Sequence, residues 1–331
     1  MPGLLEKDQV GKREDLADFI AIVDSKKTPF TSMVSKSGKA ANTLFEWQVD
    51  DYQKPRITGV VDGSDVTDFE NAAKNRAKLQ NYIQVQRRTA KVSRLAEEVS
   101  TVAGVAGEMA NAVAKKMVEL KRDMEAACLG GNEMQADDGS VPYLTRGLDK
   151  WIQTTAQALN PVPAAFRPAT AQVVTTATAS LTEDGSIQDL LAALFDATGM
   201  SGRYYLIAGS VLRRRFTDMT RTVANATSTA TKVRSFGGDI ADTKITNTTT
   251  VYEGDYGTIE ILSSSFVGVD SAGDPNKNLG YLLDMDKIAL RFNKRPSVEK
   301  LPDNGGGPRA LLECVSGLEV WNPIGLGKFK P

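Results

Sequence analysis

Residues 104–129, GVAGEMANAVAKKMVELKRDMEAACL, carry the clearest structural signal in this chain of 331 residues. Apolar side chains recur there at steps of three or four, which predicts one apolar stripe along a helix. The stripe comprises Met109, Val113, Met117, Leu120, Met124 and Cys128. Gly130 and Gly131 end the helix. At about 1.5 Å per residue the helix is a rod of about 39 Å, and its methionines are interpreted as core packing.

An extended hairpin precedes this helix. Phe45, Trp47 and Val49 alternate with residues of the opposite face, which predicts a half-buried strand over residues 43–52. A second strand-like run covers residues 79–92. The polar segment between the two runs is longer than the loops of compact domains usually are, unless the loop has a function of its own.

The two limbs of this hairpin carry opposite charges. The acidic residues of the outgoing limb are Asp50, Asp51, Asp62, Asp65, Asp68 and Glu70. The basic residues of the returning limb are Lys74, Arg76, Lys78, Arg87, Arg88, Lys91 and Arg94. Two interpretations remain open, because the limbs can neutralise each other across the strands or the loop can dock onto a neighbouring copy by complementary charge.

The chain beyond the long helix mixes helices and strands. The patterns predict a helix over residues 187–197, a buried strand over 204–208 and a helix from Ser210 to Met219. A Thr-rich surface loop is expected over residues 220–250. Further strands are predicted over residues 249–252, 258–262, 281–292 and 311–321, with a flexible Gly-rich loop over 304–308.

The composition disfavours a nucleic-acid reader. The chain has 40 basic and 41 acidic residues and a formal net charge of −1, whereas such proteins usually carry a basic excess. Contact with DNA is therefore expected to be local or weak. The Arg213-Arg214-Arg215 run is interpreted as a solvated face or an inter-subunit contact, since three charges neutralise few phosphates.

The sequence contains no histidine, which excludes Ser–His–Asp and Cys–His catalysis. An acid–base hydrolase that relies on Asp and Glu is not excluded. No phosphate-binding Gly-rich motif and no metal-ligand spacing is found, so we expect no catalytic residue, cofactor or metal. Cys128 and Cys314 have apolar neighbours and are expected to be reduced core thiols. Residues 1–15 do not resemble a signal peptide, and no apolar run is long enough to predict a membrane span.

The order of several short motifs resembles one protein family. These motifs are KREDLAD at residues 12–18, DSKKTPF at 24–30, FEWQVD at 45–50, VELKRDME at 118–125 and TRGL at 145–148 before Trp151. Together they resemble the major capsid (major head) proteins of tailed bacteriophages with the Hong Kong 97 fold. The resemblance covers nearly the whole chain, and the order of the motifs carries it because each motif is short.

The resemblance implies an α+β fold in four parts. Residues 1–43 would form an N-terminal arm, and residues 44–92 an extended loop (a β-hairpin). Residues 93–148 and 285–331 would form a peripheral domain around the spine helix at about 104–129, and residues 149–284 an α/β axial domain.

The resemblance also implies a structural, non-enzymatic function. The chain would self-assemble, through hexamers and pentamers of itself, into the icosahedral head that encloses phage DNA. Packaged double-stranded DNA would make weak, non-specific contacts, and no membrane would be involved. About a dozen residues precede the first motif, so a separate scaffolding protein or a processed chain is expected, together with a portal. The protein would be made and assembled in the host bacterial cytoplasm and reside in the virion.

Ten residues are candidates for inter-subunit contact or loop anchoring. They are Arg13, Glu14, Asp15, Phe30, Phe45, Trp47, Asp50, Asp51, Arg87 and Arg88. Trp47, with Phe45 on the same strand face, is expected to anchor the base of the extended loop. Arg87 and Arg88 are expected to pair with Asp50 or Asp51, within the hairpin or on a neighbouring copy.

Two alternative functions remain for the whole chain. One is an encapsulin-like nanocompartment shell that encloses a cargo enzyme, and the more remote one is the histidine-free hydrolase.

Overall fold

A computed structural model describes residues 27–67, 69–71, 73–98, 107–219, 222–223, 231–232, 250–270 and 272–331. Leu16, Phe19, Ile20 and Val23 lie on one helical face, which predicts a short helix over residues 13–23. This helix and most of the Thr-rich loop predicted over residues 220–250 lie outside the described ranges. Six α-helices are described, namely α1 Pro29–Met33, α2 Arg94–Glu98, α3 Glu108–Leu129, α4 Leu148–Trp151, α5 Asp189–Thr198 and α6 Ser210–Met219.

The long predicted helix is α3, whose 22 described residues give a rod of about 33 Å. Its apolar stripe is buried to different degrees along its length. Leu120, Met124 and Cys128 are buried against the strands beneath the helix, whereas Met109 and Val113 near its first turns are only half-buried. The stripe is therefore core packing, as predicted, in the C-terminal half of the helix.

The described strands form two larger sheets and two pairs. Their bounds are β1 Ser35–Lys39, β2 Leu44–Val49, β3 Ala77–Tyr82, β4 Gln84–Lys91, β5 Val173–Val174, β6 Gly202–Ala208, β7 Thr222–Val223, β8 Thr231–Lys232, β9 Val251–Gly254, β10 Gly257–Ser263, β11 Gly280–Leu283, β12 Ile288–Leu301, β13 Arg309–Val320 and β14 Gly327–Phe329. The four-stranded sheet has the order β1–β12–β13–β4, and the six-stranded sheet has the order β5–β14–β11–β6–β10–β9.

Strand direction differs between neighbours in both sheets. β1 runs parallel to β12, while β13 is antiparallel to both of its neighbours, β12 and β4. In the six-stranded sheet β6 and β10 are parallel, as are β5 and β14, and the remaining neighbours are antiparallel. α3 packs across β4 and β13, so the long helix covers the four-stranded sheet.

Two strand predictions need correction, because each predicted run is two strands in different sheets. The run over residues 79–92 breaks at Ile83: β3 pairs with β2, and β4 pairs with β13. The run over residues 281–292 breaks at a 3-10 turn, Met285–Lys287, where the Asp284 carboxylate accepts the backbone N–H of Asp286. A strand-like run predicts extended backbone, but it does not reveal which partner strand each half of the run will meet.

The other predicted elements of the described regions are confirmed. They are the strands at β2, β6, β9, β10 and β13 and the helices at α5 and α6. The predicted peripheral domain included residues 285–331, whereas β14 pairs with β11 and β5 in the six-stranded sheet. The largest core also joins the two sheets, since Leu120 and Leu312 share it with Ile207 and Tyr281. None of the described helices is long and apolar enough to cross a membrane.

Candidate inter-subunit surface

The base of the extended loop is the antiparallel pair β2–β3, which runs from Leu44 opposite Tyr82 to Val49 opposite Ala77. Trp47 lies in this pair with its ring centroid 5.7 Å from that of Trp151. Its indole Nε1 donates a hydrogen bond of 3.1 Å to the carbonyl of Val320 at the end of β13. The base is thus joined to α4 and to the four-stranded sheet.

Phe45 is buried in a small core with Ala40, Ile83 and Val315, and it stacks on Trp47 at 5.7 Å. Gly317 on β13 makes room for this ring, because a Cβ at that position would lie 2.5 Å from a ring carbon of Phe45. The sequence gives no sign of this requirement, since Gly317 lies 272 positions further along the chain.

Residues 50–76 form the excursion of the loop, and the described part of it contains no strand. Six of its apolar side chains are between 73% and 102% exposed: Tyr52, Ile57, Val60, Val61, Val66 and Phe69. Side chains exposed to this degree rest on no other described part of their own chain. So many apolar residues on one protruding segment are typical of an interaction site.

Three ion pairs link the limbs of the loop. Arg76 pairs with Asp50 at 3.0 Å, Lys78 with Glu46 at 2.8 Å, and Arg56 with Glu70 at 2.5 Å. Charge neutralisation across the limbs therefore accounts for part of the polarised charge. Asp62 and Asp65, at the far end of the excursion, have no ion pair among the described residues.

The predicted pairing of Arg87 and Arg88 with Asp50 or Asp51 inside the chain is wrong. Arg87 pairs with Glu313 on β13 at 2.5 Å. Arg88 donates two hydrogen bonds of 2.6 Å to Asp123 on α3. Both arginines lie on β4, which has left the hairpin and joined the four-stranded sheet, so their nearest carboxylates belong to that sheet and to α3.

These contacts also shift pKa values. The hydrogen bond from Arg87 is the main cause of the lowered pKa of Glu313. The hydrogen bond to Asp123 is the main cause of the raised pKa of Arg88.

Phe30 is fully buried, and its backbone is held by a residue that sequence reasoning missed. The carboxylate of Glu125 on α3 accepts the backbone N–H of Phe30 at 2.9 Å and that of Thr31 at 2.8 Å. Burial raises the pKa of Glu125, and these hydrogen bonds lower it only in part. Glu125 thus fixes α1 to the long helix.

Three of the candidate contact residues, Arg13, Glu14 and Asp15, lie outside the described residues.

A second missed group joins the C-terminal strand to α4. The buried Asp149 pairs with Lys328 at 3.1 Å and with Lys330 at 2.8 Å. Burial would raise the pKa of Asp149, but the two lysines outweigh it and the pKa is lowered. The partners lie 179 and 181 positions apart in the chain, so no local pattern could have revealed them.

The two cysteines are free and buried, as predicted. Burial raises the pKa of the Cys314 thiol to about 11, which keeps it protonated at neutral pH. Among the described residues, no group of three or more Cys, Asp or Glu side chains is placed to hold a metal ion.

Solved phage capsids share this fold. The capsid protein of cyanophage A-1(L) is similar with a TM-score of 0.64 and 14% identity, over 98% of this chain and 97% of that one. The capsid of cyanophage P-SCSP1u is similar with a TM-score of 0.60 and 12% identity, over 99% and 96%. These likenesses confirm the α+β capsid fold that the motifs predicted.

The class of protein is therefore that of the phage major capsid proteins. The sequence profile of the SU10 major capsid protein family matches residues 5–331, and the chain belongs to this family. The major capsid protein of Escherichia phage Phieco32 is 32% identical over 139 residues, which are 42% of this chain and 38% of that relative. The resemblance to tailed-phage capsid proteins is confirmed, and the comparisons support it over the nanocompartment shell and the hydrolase.

Proposed function

We propose that this chain is the repeating subunit of an icosahedral phage head that encloses DNA. The observation that carries the proposal is the excursion of residues 50–76, which presents six exposed apolar side chains on a base fixed by Trp47. An unassembled monomer gains nothing from such a surface. A subunit that must reach over the next copy needs a long loop and a rigid attachment of that loop to its own core.

The assembly contact is heterologous, because the surface that the excursion presents differs from the surface that must receive it. Contacts of this kind close into rings when the rotation between neighbours closes. Each subunit contact would bury on the order of 2,000 Å², and many individually weak contacts sum across the lattice. The proposed function thus depends on the geometry of the contacts between copies, and we assign no catalytic residue.

Within this subunit, the division of labour remains a proposal. Of the predicted arm over residues 1–43, only the residues before α1 act along neighbouring copies, because Phe30 is buried in the core and β1 pairs with β12. The excursion acts as the extended loop. The four-stranded sheet and α3 form the peripheral part, while the six-stranded sheet forms the axial part that closes hexamers and pentamers. The pairing of β14 favours moving residues 327–329 to the axial part.

The partners of the head follow from the same proposal. We infer weak, non-specific contact with packaged double-stranded DNA, since the formal net charge is −1. A scaffolding protein and a portal complete the assembly, which takes place in the host cytoplasm before the chain becomes part of the virion.

Electron microscopy of the full chain tests the proposal. Closed shells, rings or regular tubes are expected, together with unassembled, folded subunits from a variant whose residues 53–74 are replaced by a short Gly-Ser link. A chain that stays monomeric at every concentration and salt tried, with the inferred scaffolding protein as well as without it, contradicts the shell function. Normal shells from the shortened variant contradict the role of the loop.

The arm is tested separately by removing residues 1–26. This cut stops short of the buried Phe30, so the subunit should keep its fold. We expect soluble subunits that form no shells, and normal shells from this variant contradict the arm assignment.

A further inference from the structure

A cavity of about 230 Å³ opens where the segment around α1 meets α3 and β12. Edges of Met124, Leu290 and Phe292 form its apolar floor. Lys36, Lys121 and Arg295 stand around it, and we call this site the basic pocket. Its remaining polar side chains are neutral hydroxyls, so no acidic residue among the described ones lines it.

The three cations of the basic pocket are exposed, and none has an ion pair among the described residues. Other cations of this sheet are paired, namely Arg87 with Glu313, Arg88 with Asp123 and Lys294 with Glu313. Lys39, Lys91 and Lys300 are also exposed without an ion pair among the described residues, but none of them lines a cavity with two further cations. Three unpaired positive charges around one small cavity favour a ligand that brings carboxylates or other anionic groups.

The far end of the extended loop has the complementary chemistry. Residues 57–70, ITGVVDGSDVTDFE, contain four carboxylates and no cation. Asp62 and Asp65 are unpaired within the described residues, and Val60, Val61 and Val66 beside them are at least 73% exposed. We call residues 57–70 the tip. Its exposed side chains rest on no described part of their own chain, and its mixed acidic and apolar character matches a basic rim over an apolar floor.

We propose that the tip of one copy docks on the basic pocket of a second copy, with Asp62 and Asp65 against Lys36, Lys121 and Arg295. The contact rests on the proposed shell function and names the surface that receives the loop. DNA phosphates could satisfy the three cations, but they would leave the valines of the tip uncovered. The second copy accounts for both surfaces at once.

Charge exchange tests the contact in the full chain. The pocket variant carries Lys36→Glu, Lys121→Glu and Arg295→Glu, and the tip variant carries Asp62→Lys and Asp65→Lys. A combined variant carries all five changes. The changed side chains are exposed, so each variant should unfold at the same temperature as the wild type within a few degrees. The matched control reverses three exposed lysines elsewhere, Lys115, Lys277 and Lys300, each to Glu.

We expect the assembled fraction to fall at least about tenfold in the pocket and tip variants and to recover in the combined variant, where the charges are complementary again. The control should assemble like the wild type. The contact is overturned if wild-type shells form and the combined variant is no better than the single ones, or if the control is equally defective. If the wild type itself never assembles, the proposed function fails instead.

Zero-length carbodiimide cross-linking of wild-type particles gives a second readout. Particles grown from mixed ¹⁴N- and ¹⁵N-labelled subunits should yield peptides of mixed isotope that join Asp62 or Asp65 to Lys36 or Lys121. Cross-links from the tip to other lysines only contradict the contact. Normal shells from the pocket variant with less bound nucleic acid would assign the basic pocket to DNA and also overturn it.

Discussion

At the base of the extended loop Phe45 is 4% exposed and Trp47 is packed on Trp151, whereas Ile57 and Phe69 in the excursion are 102% and 89% exposed. Both regions belong to one hairpin, and both carry large apolar side chains. The base meets β13, where Gly317 leaves room for a ring, whereas the exposed side chains of the excursion meet nothing else in the part of the chain that the structure describes. Apolar residues in the sequence therefore indicate surfaces that need to be buried. Only the fold shows which of them are buried within the chain and which remain for contact with another copy.

Substitutions that act on the base should affect the stability of the subunit, and those that act on the excursion should affect assembly alone. The largest loss is expected for Trp47→Ala. It removes the packing on Trp151 and the hydrogen bond to Val320, and it leaves a cavity where the hairpin meets the core. We expect the free energy of unfolding to fall by about 3 kcal/mol in urea denaturation.

The matched control is Trp321→Ala, because this tryptophan lies just after β13 and is 42% exposed. Its loss should cost less than about 1 kcal/mol. Equal losses in the free energy of unfolding for the two variants would mean that Trp47 stabilises the subunit no more than an exposed tryptophan does.

The next largest loss is expected for Glu125→Ala, which leaves the backbone N–H groups of Phe30 and Thr31 without their acceptor. The cost should be about 2 kcal/mol. Burial raises the pKa of Glu125 above its ordinary value of 4.5, so folding favours the protonated form. The advantage of the wild type over Glu125→Ala should therefore grow as the pH falls from neutrality and level off below 4.5.

Urea denaturation at a series of pH values checks this trend. An advantage that shrinks as the pH falls would mean that the hydrogen bonds to Glu125 outweigh its burial. Glu119→Ala, on the same helix but in a surface ion pair with Lys116, is the control and should cost less than about 1 kcal/mol.

A smaller difference is expected between the two arginines of β4. Arg88→Ala removes two hydrogen bonds to Asp123 and should cost about 1 kcal/mol. Arg87→Ala should cost less than about 0.5 kcal/mol, because Glu313 keeps its ion pair with Lys294. Urea denaturation at low and at high salt measures both, and a larger loss for Arg87 would reverse the assignment.

The smallest effect on stability is expected in the excursion. A variant with Ile57→Ser, Val60→Ser and Val61→Ser should unfold within about 0.5 kcal/mol of the wild type, since these side chains lose no contact within the chain. Its shells, however, should be absent or much reduced in sedimentation and electron microscopy. Val298→Ser, an exposed position on β12, is the control and should assemble normally. A destabilised triple variant would place the excursion against its own chain.

Much of the fold could be predicted from local patterns. The stripe from Met109 to Cys128 predicted α3, and the alternation around Trp47 predicted β2, because helix and strand periods are properties of neighbouring residues. The break at Ile83 could not be predicted in this way. Both halves of that run are strand-like in sequence, and the break becomes visible only from the different strand that each half meets.

Of the candidate surface, the sequence indicated the long loop, its polarised charge and Trp47 at its base. It paired Arg87 and Arg88 with the wrong carboxylates, because it took β4 to be part of the hairpin. The basic pocket could not be found either, since Lys36, Lys121 and Arg295 come from three distant segments.

The sequence by itself therefore determined the longer helices and several of the strands, the order of motifs that marks a phage capsid protein, and the absence of histidine chemistry. The tertiary structure alone decided which strands share a sheet, that Glu125 holds α1, that Asp149 is buried with Lys328, and which apolar side chains stay exposed. The physical reason is distance along the chain. Periodicity and capping act over a few residues, whereas burial and charge pairing join segments far apart in the chain, such as Phe30 and Glu125 at 95 positions and Asp149 and Lys328 at 179.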